Sequence, residues 1–178
     1  MGSDLCLDIH ASNIYLTEVP QIRINELHEK ELVPLAEQAN VDFVWVHGAS
    51  TVLESTLAYS LNSRGVPCLV VEMGVGMRIT RSIGDQMTEG IFNLMKTLGI
   101  WQGEVGEIRK PVVSADPEEV FFLNASRSGI FVQEARHNTY LKKGDSIGKV
   151  IDPLEGTVLE DVVSPEDGLL FTIREYPV

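Results

Sequence analysis

The chain has 178 residues, of which 44% are hydrophobic and 22% charged, and its mean hydropathy is +0.05. These values are typical of a globular protein with a substantial core, and they exclude disordered, collagen-like and fibrous classes. The 26 acidic and 14 basic residues give a net charge of −12, which opposes binding to nucleic acid and to anionic membranes.

Cysteine usage and hydropathy indicate the compartment. Cys6 and Cys68 both lie within apolar runs, where a small buried side chain is the usual interpretation, so we expect a reduced, cytoplasmic setting. No stretch approaches the ~20 uninterrupted apolar residues of a membrane helix. The first ten residues also lack the features of a signal peptide.

The first hundred residues alternate between short apolar runs, which predict strands, and segments with apolar residues at helical spacing. Asn25 is a suitable cap for the first predicted helix, Pro34 interrupts that helix, and Gly99 ends the last one. This alternation predicts a mainly parallel sheet covered by helices. The predicted strands span residues 5–9, 43–46 and 68–71, and the predicted helices span residues 25–39, 51–62 and 81–98.

The pattern changes near residue 111 to short β-like runs separated by Gly, Pro and Asp. These runs cover residues 120–123, 130–133, 147–151, 157–159 and 169–173. We therefore predict an α/β domain over residues 1–110 and a β-rich module over residues 111–178, with residues 101–110 as the linker.

Polar side chains follow all three predicted strands, at the sheet edge where α/β proteins bind ligands. Asp8 and His10 are two residues apart and share one side of a strand, so the carboxylate can orient the imidazole as a metal ligand; a local hydrogen bond is the alternative. His47 can line the same crevice or lie on the surface. Glu72 follows four apolar residues, where a general base and a buried salt bridge are both reasonable interpretations.

Basic and aromatic residues flank the third predicted strand. Arg64, Arg78 and Arg81 are candidates to bind a substrate carboxylate through a two-pronged contact, although surface positions are the usual role of arginine. Tyr59 lies on the preceding helix, where packing and substrate contact are both open interpretations.

Several segments together resemble the succinylglutamate desuccinylase/aspartoacylase family of zinc-dependent deacylases. DIHAS over residues 8–12 is similar to the family's D-[LI]-H-[TAN] strand end, and PCLVVEMG over residues 67–74 is similar to its P-x-x-x-x-E-x-G segment. In the tail, KGDSIG over residues 143–148 and SPEDG over residues 164–168 resemble the family's C-terminal module. The resemblance covers essentially the whole chain.

The resemblance implies a fold and an activity. The implied fold is α/β, with a partial carboxypeptidase-like mixed sheet and flanking helices followed by a small all-β, barrel-sandwich-like module. The implied activity is zinc-dependent hydrolysis of the amide bond of an N-acyl amino acid or related small amide. His10 would be a zinc ligand with Asp8 beside it, and Glu72 would be the general base. Tyr59 and Arg64 would contact the substrate, and Arg78 is a further candidate from its position.

The chain also departs from the family pattern. The family takes two further zinc ligands, a His and a Glu three residues apart, from a segment that precedes the D-x-H strand. Here the D-x-H motif starts at residue 8, so we expect a portion of a deacylase without its N-terminal part. His28 and Glu31 have the right spacing but follow His10, within a predicted helix, where an exposed helix face is the better interpretation.

The alternative is a catalytically incomplete fragment, or a non-enzymatic binding or assembly module. Missing sheet strands would leave apolar edges exposed, which favours association with a second copy of the chain.

Overall fold

A computed structural model of the chain describes residues 2–11, 13–48 and 56–178. Its helices are α1 (Glu29–Ala36), α2 (Leu57–Asn62) and α3 (Arg81–Thr97). The strands of the first part are β1 (Cys6–His10), β2 (Leu16–Asn25), β3 (Phe43–His47), β4 (Cys68–Gly74) and β5 (Val112–Ser114). Those that follow are β6 (Ile130–Gln133), β7 (Thr139–Leu141), β8 (Ser146–Ile151), β9 (Val158–Val163), β10 (Gly168–Leu170) and β11 (Thr172–Arg174). In these ranges no helix is both long and apolar enough to cross a membrane.

The large sheet has the order β1-β4-β2-β3-β5, and β11 also pairs with β2. β1 is parallel to β4, and β2 is parallel to β3, but β2 and β4 are antiparallel. The sheet is therefore mixed, as the family resemblance implied. Among the described strands, three of its five pairings are parallel, since β3 is also parallel to β5, whereas both β4 and β11 are antiparallel to β2. The sequence prediction missed β2 as a strand. Only residues 11–15 separate β2 from β1, which is too short for the crossover that parallel strands require.

The two faces of this sheet differ in polarity because side chains alternate along a strand. One face carries the apolar core, in which side chains from β2, β3 and β4 pack against residues of the helices. The fully buried members include Ile22, Ile24, Val44, Val46, Leu69 and Val71, with Leu32 from α1 and Leu94 from α3. The residues between them in sequence, such as Gln21, Arg23 and Trp45, lie on the opposite, polar face.

The helices follow the sequence signals with local differences. Residues 26–28 form a 3₁₀ turn in which the Asn25 Oδ1 accepts a hydrogen bond from the Leu27 N–H at 2.9 Å, and α1 then continues through Pro34. Residues 51–55 of the predicted second helix lie outside the described residues, and α2 is capped by Thr56. After α3, Gly99 adopts φ +74°, the left-handed conformation that the predicted stop requires.

The chain after residue 115 forms mainly small antiparallel sheets. Strands β6, β8 and β9 make a three-stranded sheet, and β7 pairs with β10. The predicted strand over residues 169–173 divides at Phe171 into β10 and β11, and β11 joins the large sheet. Residues 120–123 are not a strand. A barrel-sandwich arrangement of this region stays a prediction.

Candidate functional site

A cavity of about 370 Å³ lies on the polar face of the large sheet. Strand register assembles its walls: His10 of β1 pairs with Glu72 of β4, and Arg23 of β2 pairs with Trp45 of β3. All four side chains line the cavity. Because register partners project from the same face of a sheet, strand pairing alone places these residues, which are distant in sequence, around one cavity.

The wall formed by β1 and β4 contains Asp8 and His10 of the D-x-H motif and Glu72 of the E-x-G motif. The His10 Nε2 lies 3.0 Å from the Asp8 Oδ1, and the His10 side chain is half exposed. Glu72 is 13% exposed at its side chain. The structure therefore brings Asp8, His10 and Glu72 into one cavity, as their positions at neighbouring strand ends predicted.

Polar and charged side chains of β2 form a network of hydrogen bonds that positions Arg23 at the cavity. The Arg23 Nη2 donates to the Glu18 Oε1 at 2.7 Å, and the Gln21 Nε2 donates to the same oxygen at 3.0 Å. Glu18 and Gln21 are almost completely buried. The Arg23 Nη1 also lies 3.9 Å from the Glu72 Oε1. These contacts hold the guanidinium in a fixed orientation between two carboxylates.

Aromatic residues of β3 form the neighbouring wall. The Trp45 ring centroid lies 5.8 Å from the Arg23 guanidinium carbon and 5.1 Å from the centroid of the His47 ring. Burial lowers the pKa of His47 below its usual value, and the nearby positive charge of Arg23 lowers this pKa further. The His47 imidazole is therefore mostly uncharged at neutral pH.

Sequence reasoning missed Arg23, Asn25 and Trp45 as residues of the site. A signal was present in the alternation Gln21-Ile22-Arg23-Ile24-Asn25, which is typical of a strand with one buried apolar face and one polar face. Strands of a parallel sheet are buried on both faces and consist of uninterrupted apolar runs, so a search for such runs does not find β2.

The candidate substrate contacts separate into two groups. Tyr59 of α2 lines the cavity together with His28, whereas neither Arg64 nor Arg78 does. The Arg64 Nη1 donates to the Ser60 carbonyl oxygen at 2.8 Å on the exposed end of α2. Arg78 forms an ion pair with Glu175.

The donor set around His10 can be compared with the needs of a catalytic zinc. Such a zinc is usually held by three protein ligands, most often His, Cys, Asp or Glu. Within residues 2–11, 13–48 and 56–178 there is no group of three or more such residues that could hold a metal ion. Asp8 is the carboxylate beside His10, and these side chains do not by themselves fit a zinc centre.

Known structures share this arrangement of strands and helices. A succinylglutamate desuccinylase from a Silicibacter species superposes with a TM-score of 0.80 at 19% identity, covering 98% of this chain and 54% of that one. The chain shares the fold of this protein over nearly its whole described length. The ectoine utilization protein EutE from Ruegeria pomeroyi gives a TM-score of 0.80 at 18% identity, covering 98% of this chain and 56% of that one. For a succinylglutamate desuccinylase/aspartoacylase from Rhodobacter sphaeroides the TM-score is 0.77 at 16% identity, and the coverages are 98% and 54%.

These similarities confirm the resemblance seen in the sequence at the level of fold. The chain spans about half the length of the solved proteins that it matches. Comparison with protein-family models gave no match, and comparison with curated proteins gave none either.

Proposed function

We propose that the cavity belongs to an amide hydrolase that acts on an N-acyl amino acid or a related small amide, with Glu72 as general base. The observation that carries this proposal is the position of Glu72 in a cavity beside His10, within a fold shared with solved succinylglutamate desuccinylases. Among the described residues, the Glu72 Oε2 is a buried carboxylate oxygen with no hydrogen-bond partner. An unpaired carboxylate beside a cavity is the type of group that acts as a general base towards a water bound there.

The role of Glu72 follows from the chemistry of amide hydrolysis. Water attacks the carbonyl carbon, and the carboxylate takes the proton that this water loses. The C–N bond then breaks, and the same carboxyl group returns the proton to the departing amine. Since Glu72 is 13% exposed, bulk water competes little for this oxygen.

The size of the cavity supports a small substrate. About 370 Å³ falls within the range that accommodates small molecules. One of the solved proteins with this fold, EutE, has been determined with its product bound. We therefore propose a small-molecule substrate for this chain.

His10 is the one residue of this chain that we propose as a zinc ligand. Because the described residues do not complete a zinc centre, zinc binding through His10 would need donors beyond these residues. Metal analysis of the purified protein and of a His10→Ala variant tests this point. Zinc that is retained at equal stoichiometry in both proteins would show that His10 is not a ligand.

A second candidate is ligand binding without turnover. The described residues form a cavity but do not provide the three protein ligands of a catalytic zinc. This combination favours binding of a small molecule over its hydrolysis. Under this alternative the cavity binds small amides but releases no amine.

A matched pair of substitutions separates these two functions. We expect Glu72→Gln to lower kcat for N-acetyl amino acids about 10²–10⁴-fold, the usual contribution of a general base, while binding is retained. Glu134→Gln is the control, because Glu134 pairs with Ser146 and Lys149 in the antiparallel β6–β8 region. Amine release that is unchanged by Glu72→Gln would contradict the catalytic role, and binding without amine release in the wild-type protein would favour the second candidate.

A further inference from the structure

The cavity walls contain buried polar atoms without hydrogen-bond partners. Among the described residues these include the Arg23 Nε, the Asn25 Nδ2 and the Trp45 Nε1, which are donors, and the Glu72 Oε2, which is an acceptor. All four residues line the cavity. Buried polar groups are usually paired, and at the wall of a cavity a ligand can provide the partner.

The three donors come from one side of the site, and we refer to Arg23, Asn25 and Trp45 as the donor wall. Arg23 and Trp45 are register partners on β2 and β3, and Asn25 lies two residues beyond Arg23 on the same face. Their remaining polar atoms are held in place: the Arg23 Nη2 by Glu18, and the Asn25 Oδ1 by the Leu27 N–H. These hydrogen bonds orient the Arg23 and Asn25 side chains before any ligand binds.

The charges around the cavity indicate which kind of acceptor the donor wall takes. Arg23 carries one formal positive charge, whereas Asp8, Glu18 and Glu72 each carry a formal negative charge close to the cavity. A carboxylate placed against the donor wall would lie within this excess of negative charge, so any carboxylate of the ligand lies away from the donor wall. An uncharged oxygen can accept hydrogen bonds from the same donors without that repulsion.

A secondary amide matches this arrangement of donors and acceptor. In a trans amide the carbonyl oxygen and the N–H point in opposite directions. The donor wall lies on β2 and β3, and the unpaired acceptor of Glu72 lies on β4, the neighbour of β2 on its other side. One amide group can thus present its oxygen to the donors and its N–H to the carboxylate.

We propose that the donor wall binds the carbonyl oxygen of an amide ligand whose N–H faces Glu72. This inference rests on the proposed function for its choice of an amide, and it assigns Arg23, Asn25 and Trp45 as specificity-determining residues. Arg64 and Arg78, the arginines singled out in the sequence, do not line this subsite.

Binding of two probes that differ in one atom tests the proposal. N-acetyl-L-alanine and its thioamide analogue, N-thioacetyl-L-alanine, have the same charge, but sulfur is a weaker hydrogen-bond acceptor than oxygen. We expect the wild-type protein to bind the oxygen compound about fivefold to tenfold more tightly, the size of one hydrogen bond between uncharged groups, as measured by NMR titration. This comparison needs no variant.

Trp45→Phe then identifies the donor, because it removes the Nε1–H and keeps an aromatic ring. We expect this variant to weaken binding of N-acetyl-L-alanine about fivefold to tenfold and to reduce the preference for oxygen over sulfur, while the Arg23 and Asn25 donors remain. Trp101→Phe is the matched control, since the Trp101 Nε1 donates to the Glu104 carbonyl oxygen at 3.3 Å and the residue does not line the cavity. The control should keep the full preference, and thermal unfolding should show that both variants fold.

Two results would overturn the donor wall: equal binding of the two probes, as expected if only water occupies the wall, or an unchanged preference in the folded Trp45→Phe variant. Absence of saturable binding of N-acetyl-L-alanine would also overturn it. Release of alanine is measured in parallel. Preferential binding without release contradicts the proposed hydrolase function and supports the donor wall, whereas release with no preference contradicts the donor wall alone.

Discussion

Gly90 marks a close approach of α3 to the backbone that follows α1. A Cβ added at this position would lie 1.9 Å from the carbonyl oxygen of Ala39 and 2.6 Å from its carbonyl carbon. Beside this contact, the Gln86 Nε2 donates to the Asn40 carbonyl oxygen at 2.8 Å, and the Asn40 Nδ2 donates to the Gln86 carbonyl oxygen at 3.1 Å. Gly90 therefore allows the helix to pack directly against the backbone that follows α1.

The same helix contains a glycine without this constraint, which provides a matched control. A Cβ added at Gly84 would have no neighbouring atom within 4 Å. Gly84→Ala should therefore stabilise the protein by about 0.5–1 kcal/mol through helix propensity alone. Gly90→Ala gains the same propensity, but α3 must move away from a backbone carbonyl, and such overpacking costs about 1–3 kcal/mol or more. We expect Gly90→Ala to be less stable than Gly84→Ala by about 2 kcal/mol.

Urea unfolding followed by far-ultraviolet circular dichroism measures both variants against the wild-type protein. A change of 1 kcal/mol corresponds to about 2–4 °C in Tm for a protein of this size, so thermal unfolding provides a second measurement. If Gly90→Ala is as stable as Gly84→Ala, α3 does not pack on the Ala39 carbonyl as described. That result would refute the close approach and the predicted order of stabilities.

Two further predictions concern a helix terminus and a partly buried histidine. Gly99→Ala should destabilise the protein by about 1 kcal/mol in urea unfolding, because Gly99 adopts φ +74° with no steric neighbour within 4 Å; an unchanged free energy of unfolding would contradict this conformation. Burial is the main cause that lowers the pKa of His137, whose Nε2 lies 3.1 Å from the Phe171 carbonyl oxygen. Since the folded-state pKa lies below the unfolded value of about 6.5, the unfolded chain binds the proton first as the pH falls, and stability should decrease below about pH 6.5. His137→Gln should reduce this pH dependence in urea unfolding at several pH values, and an identical pH profile would refute the assignment.

Much of the fold was predictable where local chemistry decides the conformation. The runs around Cys68 and Phe43 are apolar and short, and both are strands. Helix α3 was predicted within one residue, because its apolar periodicity and the stop at Gly99 act over neighbouring residues only. β2 was missed because its apolar residues alternate with polar ones and form no uninterrupted apolar run.

The site divides in a similar way. Asp8, His10 and Glu72 could be singled out because each is a polar residue at the end of an apolar strand, and they meet in one cavity. Arg23 and Trp45 have no such local signature. They become part of the site because β2 inserts between β4 and β3 and brings its polar face against the cavity.

The sequence by itself determined which segments form strands and helices over most of the chain, and which acidic and histidine residues stand at strand ends. These features depend on periodicity, capping and backbone conformation, all of which act over a few residues. Only the tertiary structure decided that β2 lies between β4 and β3, that β11 returns to this sheet, and that one face of the sheet is polar. The pairing of strands depends on contacts between residues far apart in the chain. The donors of Arg23, Asn25 and Trp45 therefore meet Glu72 around one cavity only after the sheet has formed.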